Sequence, residues 1–240
     1  ADTTVFTSTV TAPIQVSVTG QGDLTINSTT AVAHAALGSN TGNCGSVTIN
    51  LANGNIAMNS TASSNVFTDF ACLIGSQDFV SINAKNMTMT ATEIGGFRGS
   101  CGVIVNNPGA LNTTTINLSG DFLMIAQVNL VPFGSPSTHI ETINSNLNFA
   151  CAGNFTIGNS SALVGPFPYT GIFTTTTGFT NIHVGGNASI TGGNNSPIGE
   201  TTFLNSAGSG PATITVGGNI LMKNNLHTPS TIYANGPLTI

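Results

Sequence analysis

The fold is decided by a motif that reads Gly185-Gly186-Asn187-Ala188-Ser189-Ile190 in one copy and Val216-Gly217-Gly218-Asn219-Ile220-Leu221-Met222 in the next. Seven copies follow one another at intervals of 31 to 35 residues, and each places Asn or Asp directly before a short strand-like segment. Glycine precedes that residue in six copies, and Lys85 stands in its place in the third. A fixed period of this length marks a repeat architecture, in which each unit is one coil that cannot bury its own core alone. The repeated residues are Asp23, Asn55, Asn86, Asp121, Asn154, Asn187 and Asn219.

Aliphatic residues alternate on both sides of the motif, which predicts two strands in every coil. Ile182 and Val184 precede one copy, Ala188 and Ile190 follow it, and a third, less regular strand lies between copies. The one-residue spacing points both side chains of a pair to the same face of a strand, and no segment shows helical spacing. Parallel crossovers are right-handed by default. The sequence therefore predicts an all-β chain: a right-handed parallel β-solenoid of about seven coils, three short strands per coil and a period of about 33 residues.

The column of Asn and Asp residues has a structural interpretation. Both side chains tolerate a left-handed turn and hydrogen-bond to neighbouring backbone. Stacked at one corner, their amides also bond one another along the column, as in an asparagine ladder. We therefore predict that the seven residues form a structural ladder.

Residues 1–13 are predicted to form a separate strand-like segment before a solenoid that spans residues 14–240. Apolar residues in and just after this segment are interspersed with Thr and Ser. Such a strand pairs either with the first coil of its own chain or, by strand addition, with an exposed edge of a neighbouring copy. We expect the second arrangement, in which the segment also covers the last coil of the neighbour. The predicted assembly residues are Val5, Phe6, Val10, Ile14, Leu238 and Ile240.

Charge is sparse, and this excludes several classes of partner. Charged residues make up 5% of the chain, the basic ones are Lys85, Arg98 and Lys223, and the net charge is -5. Three basic residues do not neutralise a run of phosphates or attract an anionic membrane, so we expect no nucleic-acid binding. No apolar run approaches the roughly 20 residues of a membrane-spanning helix, so we expect no membrane insertion.

The sequence contains little that indicates catalysis. Asp69, Asp78 and Glu93 lie in neighbouring coils near Arg98 and are the one group of charged residues that suits a site, although we favour surface ion pairs as their explanation. Glycoside hydrolysis needs two carboxyl groups at a defined separation, which the sequence does not specify. The histidines (His34, His139, His183 and His227) lack metal-binding spacing. We therefore predict no catalytic residue, no metal and no cofactor.

The four cysteines suit an oxidising compartment because their number is even. Cys44, Cys72 and Cys101 lie 28 and 29 residues apart, slightly less than one coil. Bonds between adjacent coils are therefore within reach for Cys44–Cys72 or Cys72–Cys101, whereas Cys44–Cys101 would skip a coil, about 9.6 Å. The partner of Cys151 stays open. We expect two disulfides.

The motif resembles the passenger regions of secreted bacterial β-helix proteins, including autotransporter passengers and filamentous-haemagglutinin-type adhesins. The matching stretches are the two quoted above and Ala152-Gly153-Asn154-Phe155-Thr156-Ile157, and the opening Asp2-Thr3-Thr4-Val5 also looks like the start of such a passenger. The coil is longer than that of haemagglutinin-type repeats. The resemblance implies a secreted protein at the cell surface or outside the cell, and Ala1-Asp2 reads like the residues after a small-residue cleavage site.

These observations favour a non-enzymatic extracellular structural protein. We expect a subunit of a self-assembling surface filament or layer, joined head to tail to other copies of itself through the solenoid ends and the N-terminal strand. The alternative is an adhesin passenger fragment that binds cells, a host surface or glycans. The third hypothesis is a polysaccharide-active β-helix enzyme.

Overall fold

The computed structural model describes residues 3–4, 14–28, 35–39, 44–61, 72–93, 100–109, 111–128, 137–161, 169–192, 200–223 and 230–240. Within those residues it contains 23 strands and no helix. In chain order the strands are β1 (Thr3–Thr4), β2 (Ile14–Thr19), β3 (Leu24–Ser28), β4 (Ala35–Gly38), β5 (Cys44–Leu51), β6 (Ile56–Ser60), β7 (Cys72–Ser76), β8 (Val80–Ala84), β9 (Met87–Glu93), β10 (Ser100–Asn106), β11 (Asn112–Leu118), β12 (Phe122–Val128), β13 (Ser137–Ile143), β14 (Ser145–Cys151), β15 (Phe155–Ser161), β16 (Tyr169–Thr175), β17 (Thr180–Val184), β18 (Ala188–Thr191), β19 (Glu200–Ser206), β20 (Ala212–Val216), β21 (Ile220–Lys223), β22 (Ser230–Ala234) and β23 (Leu238–Thr239).

Every third strand belongs to the same sheet, so the chain winds as a solenoid with three parallel sheets. Sheet A runs from β1 through β4 to β22, sheet B from β2 through β5 to β23, and sheet C from β3 through β6 to β21. All the strand pairs within these sheets are parallel. The predicted all-β parallel solenoid is confirmed. The coil count differs slightly from the prediction, because β22 and β23 follow seven three-strand coils and begin an eighth.

The core is built of columns, because equivalent residues of successive coils lie opposite one another in the parallel sheets. In sheet B one such column runs along the inner face, and each of its members from the second coil onward is at most 1% exposed. Stacking the same position in every coil buries apolar side chains that a single coil would leave exposed. The members of this column are Ile49, Ile82, Ile116, Phe149, Ile182 and Ile214.

Four phenylalanines fill the core of the later coils. The rings of Phe122 and Phe155 stack with centroids 5.1 Å apart, and Phe149 packs edge-on against Phe122 at 5.0 Å. Phe203 lies 4.9 Å from Phe155 on the side of sheet A. Offset-stacked and edge-on pairs are the arrangements that aromatic rings prefer. This cluster therefore joins all three sheets across the interior.

The corner between sheets A and B is tight and partly hydroxyl-lined. Asn144 alone separates β13 from β14, and it has a positive φ of 54°, a conformation that Asn adopts more readily than most residues. Its N–H donates to the carbonyl of Thr175 in the next coil at 2.8 Å. Inside the same corner, Thr180 Oγ1 donates to Thr174 Oγ1 at 3.0 Å. The hydroxyl groups of Thr174 and Thr180 thus take part in holding the corner.

Candidate functional site

The seven predicted ladder residues lie at the corner between sheets B and C, one in each complete coil, and hydrogen bonds join every successive pair. In five of the six steps the backbone N–H of the later residue donates to the side-chain Oδ1 of the earlier one, at 2.7 to 3.1 Å. In the remaining step Asn86 Nδ2 donates to Asn55 Oδ1 at 2.8 Å. A carboxylate oxygen accepts as well as an amide oxygen does, which explains why Asp23 and Asp121 occupy two of the positions.

Glycine beside the ladder is explained by the close approach of neighbouring coils. A Cβ on Gly54 would lie 2.0 Å from the carbonyl oxygen of Gly22, and a Cβ on Gly218 would lie 2.5 Å from Asn187 Oδ1. Gly22 itself, in the first coil, has nothing within 4 Å of its Cβ position. Glycine therefore permits this close approach in the five later coils that have it, whereas Lys85 occupies the position in the third coil. Together with the ladder, these glycines form a structural corner.

Exposed apolar side chains are concentrated on β21 to β23. Of the seven large hydrophobic side chains that are exposed in the described part of the chain, six lie between Ile220 and Ile240. Sheet C has seven strands where sheets A and B have eight, so the stack has a step beside β21. A groove of about 410 Å³ opens at this end, and Ile214, Val216, Ile220 and Ile240 contribute to its lining. The predicted assembly residues Leu238 and Ile240 are 40% and 66% exposed at this end.

The N-terminal assembly residues are placed only in part. Thr3 and Thr4 form β1, which pairs in parallel with Ala35 and Ala36 of the same chain. For these two residues the structure shows pairing within the chain, the arrangement that we did not favour. Ile14 opens β2 opposite Cys44, while Val5, Phe6 and Val10 lie outside the described residues.

The two expected disulfides are absent, and all four cysteines are buried free thiols. Cys44 lies in sheet B and Cys72 in sheet A, so those two are not cross-strand neighbours, and Cys151 lies opposite Leu118 and Val184. Cys72 and Cys101 alone are directly paired across adjacent strands. The Cys101 side chain hydrogen-bonds to Cys72 and lowers the pKa of that thiol, whereas burial raises the pKa of Cys101. Burial also raises the pKa of Cys151 to about 11, so this thiol is a poor nucleophile.

A cleft opens on the outer face of sheet A, where side chains of successive coils line up. Glu141 lies opposite Phe173, Phe173 opposite Asn205, and Asn205 opposite Tyr233. The cleft has a volume of about 260 Å³, and its wall is completed by His139. The rings of His139 and Phe173 pack edge to face with centroids 4.9 Å apart. We call this surface the sheet A cleft.

The sheet A cleft contains polar groups that are largely withdrawn from water. Glu141 is half-buried, and that burial raises the pKa of its carboxyl group. Asn205 Oδ1 is buried and accepts no hydrogen bond from the described residues. A register shift between Gly171 and Phe173 marks a bulge, at which both Phe203 and Leu204 of β19 turn inward and are buried. Bulges re-aim the side chains that follow them, and Asn205 is the next residue.

This cleft was not predicted from the sequence. Glu141 and His139 are visible as isolated polar residues, and Phe173 belongs to the irregular third strand of its coil. Aligning the third strands of successive coils would have placed Glu141 beside Phe173, 32 residues later. Nothing in the sequence marks the extra residue that the bulge adds to β19.

The acidic constellation is not brought together within the described residues. Asp69 and Arg98 lie outside them, and Glu93 is described only as the last residue of β9. Asp78 accepts a hydrogen bond from Asn112 Nδ2 in the next coil. Among the described residues, no group of three or more His, Cys, Asp or Glu side chains is arranged to hold a metal ion.

The remaining histidines are separate from one another. His183 is exposed on the outer face of sheet B, and His34 and His227 lie outside the described residues. His139 lines the sheet A cleft.

Comparisons with family models, with curated proteins and with solved structures find no match to this chain. Across the described strands and turns, no helix has the length and apolar character to cross a membrane.

Proposed function

We propose that the protein is a non-enzymatic, extracellular structural subunit that polymerises head to tail, with a second copy of the chain covering the β21–β23 edge. The observation that carries this proposal is the concentration of exposed apolar side chains on that edge. Ile220 and Met222 lie opposite the buried residues Ala188 and Ile190, so they occupy core positions that no further described strand of sheet C covers. A further coil on this edge would bury them as every preceding coil is buried.

The first coil of a second copy suits this edge. The strands β1 and β2 begin sheets A and B, and β22 and β23 are the last strands of the same two sheets. A second copy in the same orientation therefore extends both sheets by the parallel pairing that joins coils within the chain, and the rest of its residues 1–13 would fill the step beside β21 in sheet C. Such a contact joins two different surfaces and does not close on itself, so repetition generates a filament.

Low charge supports this mode of assembly. Edge strands of soluble proteins are usually protected from strand addition by charged residues, proline or bulges. Lys223 is the one charged side chain in residues 212–223 and 230–240. Its ammonium group is at the end of β21, which leaves the rest of the edge without electrostatic protection.

Electron microscopy and sedimentation velocity of the purified chain test the proposal. We expect filaments whose length increases with protein concentration. Met222→Lys, which places a charge at a core position of the edge, should fold and stay monomeric. Leu111→Lys is a matched control, because Leu111 is also an exposed large hydrophobic residue but lies away from this edge. A wild-type chain that stays monomeric at high concentration, or a Met222→Lys variant that forms the same filaments, would show the proposal to be wrong.

Deletion of residues 1–13 tests whether the contact between copies requires the N-terminal segment or only the edge formed by β21 to β23. We expect the truncated chain to keep its solenoid and lose assembly, because the segment removed contains β1 and the alternating residues before β2. If the truncated chain forms filaments while the Met222→Lys variant stays monomeric, the contact between copies involves β21 to β23 and does not require the N-terminal segment.

A further inference from the structure

The sheet A cleft is set apart from the other outer surfaces of the solenoid by its composition. The outward positions of sheet B carry Thr, Ser and Asn with few exceptions, whereas the sheet A cleft combines a carboxyl group, an amide, an imidazole and a phenyl ring. It also coincides with the bulge in β19, a feature that is over-represented beside functional sites. Two local departures from the repeat therefore meet at one place.

The polar groups of the sheet A cleft are suited to a ligand with hydroxyl groups. Asn205 Oδ1 is a buried acceptor that no described residue satisfies, and leaving a buried acceptor unsatisfied is unfavourable. The Glu141 carboxyl group is a second acceptor in the same wall, and Asn205 Nδ2 is a donor. A ligand that offers hydroxyl groups, each both a donor and an acceptor, can bond to the Glu141 carboxyl group and to the Asn205 amide group.

The apolar part of the sheet A cleft, the Phe173 ring, favours a ligand that also has an apolar face. The Phe173 ring packs against the His139 ring with centroids 4.9 Å apart, and this contact favours one orientation of the ring before any ligand arrives. A ring of this kind offers a large apolar contact at little cost in conformational entropy. The volume of about 260 Å³ is slightly below the roughly 300–1,000 Å³ of typical small-molecule sites, which suits a single ring.

We propose that the sheet A cleft is a saccharide-binding site that takes one pyranose ring, with the C–H face of the sugar against Phe173 and its hydroxyl groups on Asn205 and Glu141. Pyranoses are the common ligand class that combines an apolar face with a rim of hydroxyl groups. Tyr233 follows Asn205 in the same row at the next coil, about 4.8 Å further along the stack, and the residue is 51% exposed. It provides a second platform for the neighbouring residue of a longer glycan.

Titration of the ¹⁵N-labelled Met222→Lys variant tests the site independently of assembly. The probes are methyl α-D-glucoside, methyl α-D-mannoside, methyl β-D-galactoside and N-acetylglucosamine, monitored by amide chemical shifts. We expect at least one probe to shift resonances of β13, β16 and β19 in a saturable way. The absence of saturable shifts with all four, or saturable shifts confined to other strands, would overturn the proposal.

Two variants determine whether the named side chains bind the sugar. Asn205→Ala and Phe173→Leu should each weaken binding about tenfold or more, with far-UV circular dichroism unchanged. Asn181→Ala, which removes an exposed amide from sheet B, is the matched control and should bind as the parent does. Equal affinity of the parent and both cleft variants would overturn the assignment.

Discussion

Replacement of Asn187 by alanine tests how much one ladder side chain contributes to stability, because the hydrogen bonds of this side chain can be removed without removing those of its backbone. Asn187 Oδ1 accepts the backbone N–H of Asn219 at 2.9 Å, and Asn187 Nδ2 makes a weaker contact of 3.4 Å to Asn154 Oδ1. The backbone N–H of Asn187 keeps its own bond to Asn154 Oδ1 at 3.1 Å in any variant. Alanine therefore removes one good hydrogen bond and one long one.

The expected loss is about 1 kcal/mol of unfolding free energy, since a neutral hydrogen bond contributes a net 0.5–1.5 kcal/mol. A value in the middle of this range is appropriate because Asn187 and Asn219 are exposed and water can replace the lost acceptor. For a chain of this size the corresponding fall in melting temperature is about 2–4 °C. The exchange of the Asn219 amide hydrogen should also become faster, because that group loses its acceptor.

Two control variants make the result specific. Asn187→Asp keeps the acceptor, and its nearest ladder carboxylate, Asp121, is two coils away, about 9.6 Å. It should therefore retain most of the stability and the slow exchange of the Asn219 amide. Asn181→Ala loses only the exposed side-chain bond to Asn148 at 3.1 Å and should change stability by less than about 0.5 kcal/mol. The reasoning is refuted if Asn187→Asp is as unstable as Asn187→Ala, or if Asn187→Ala matches Asn181→Ala.

Four further predictions concern stability. Gly54→Ala should lower the free energy of unfolding by about 1–3 kcal/mol in denaturant titrations, because the added Cβ lies too close to the Gly22 carbonyl oxygen. Gly22→Ala should change that free energy little, because its Cβ position is surrounded by open space. Similar losses in the two variants would contradict the close-approach explanation. Phe155→Ala should cost about 3–5 kcal/mol, since its fully buried ring contacts three other phenylalanine rings, and a smaller loss would mean that the core collapses around the cavity. Burial raises the pKa of Glu141, so the folded chain holds this proton to higher pH than the unfolded chain does, and stability falls as the pH rises from the ordinary carboxyl pKa through the raised one. Glu141→Gln should therefore gain stability over the wild type at neutral pH but not below the ordinary carboxyl pKa, and a pH-independent difference would contradict this. Melting temperature should change little between low and molar salt because only 5% of residues are charged, and a steep fall would reveal an essential ion pair.

The strand pattern and the ladder were predictable from the sequence because they are repeated. An isolated Gly-Asn step indicates only a turn, but seven steps at a nearly constant period place equivalent residues at the same corner of every coil. Alternation on both sides of each step then assigns the inward face of sheets B and C, and the buried columns follow. The third strand of each coil, which lies in sheet A, is less regular. Its position was predicted from the sequence, but its register against the neighbouring strands was not.

The free thiols and the sheet A cleft show where such reasoning stops. Residue spacing placed Cys44 and Cys72 within one coil of each other, but they lie in different sheets, because the connection between strands is not of constant length. The sheet A cleft depends on a second irregularity, the bulge in β19. Glu141, Phe173 and Asn205 share a row only because this bulge shifts the register of β19.

The sequence by itself determined the parts of this protein that every coil repeats: the parallel solenoid, the Asn and Asp column and the apolar interior. These features follow from the residues at the turns and from the alternation of apolar and polar residues along the strands. Both patterns extend over only a few residues and recur in each coil. Only the tertiary structure decided which residues of different coils meet on the outer face of sheet A. Those arrangements depend on the register between strands about 32 residues apart, and a single inserted residue changes that register without leaving a local signal.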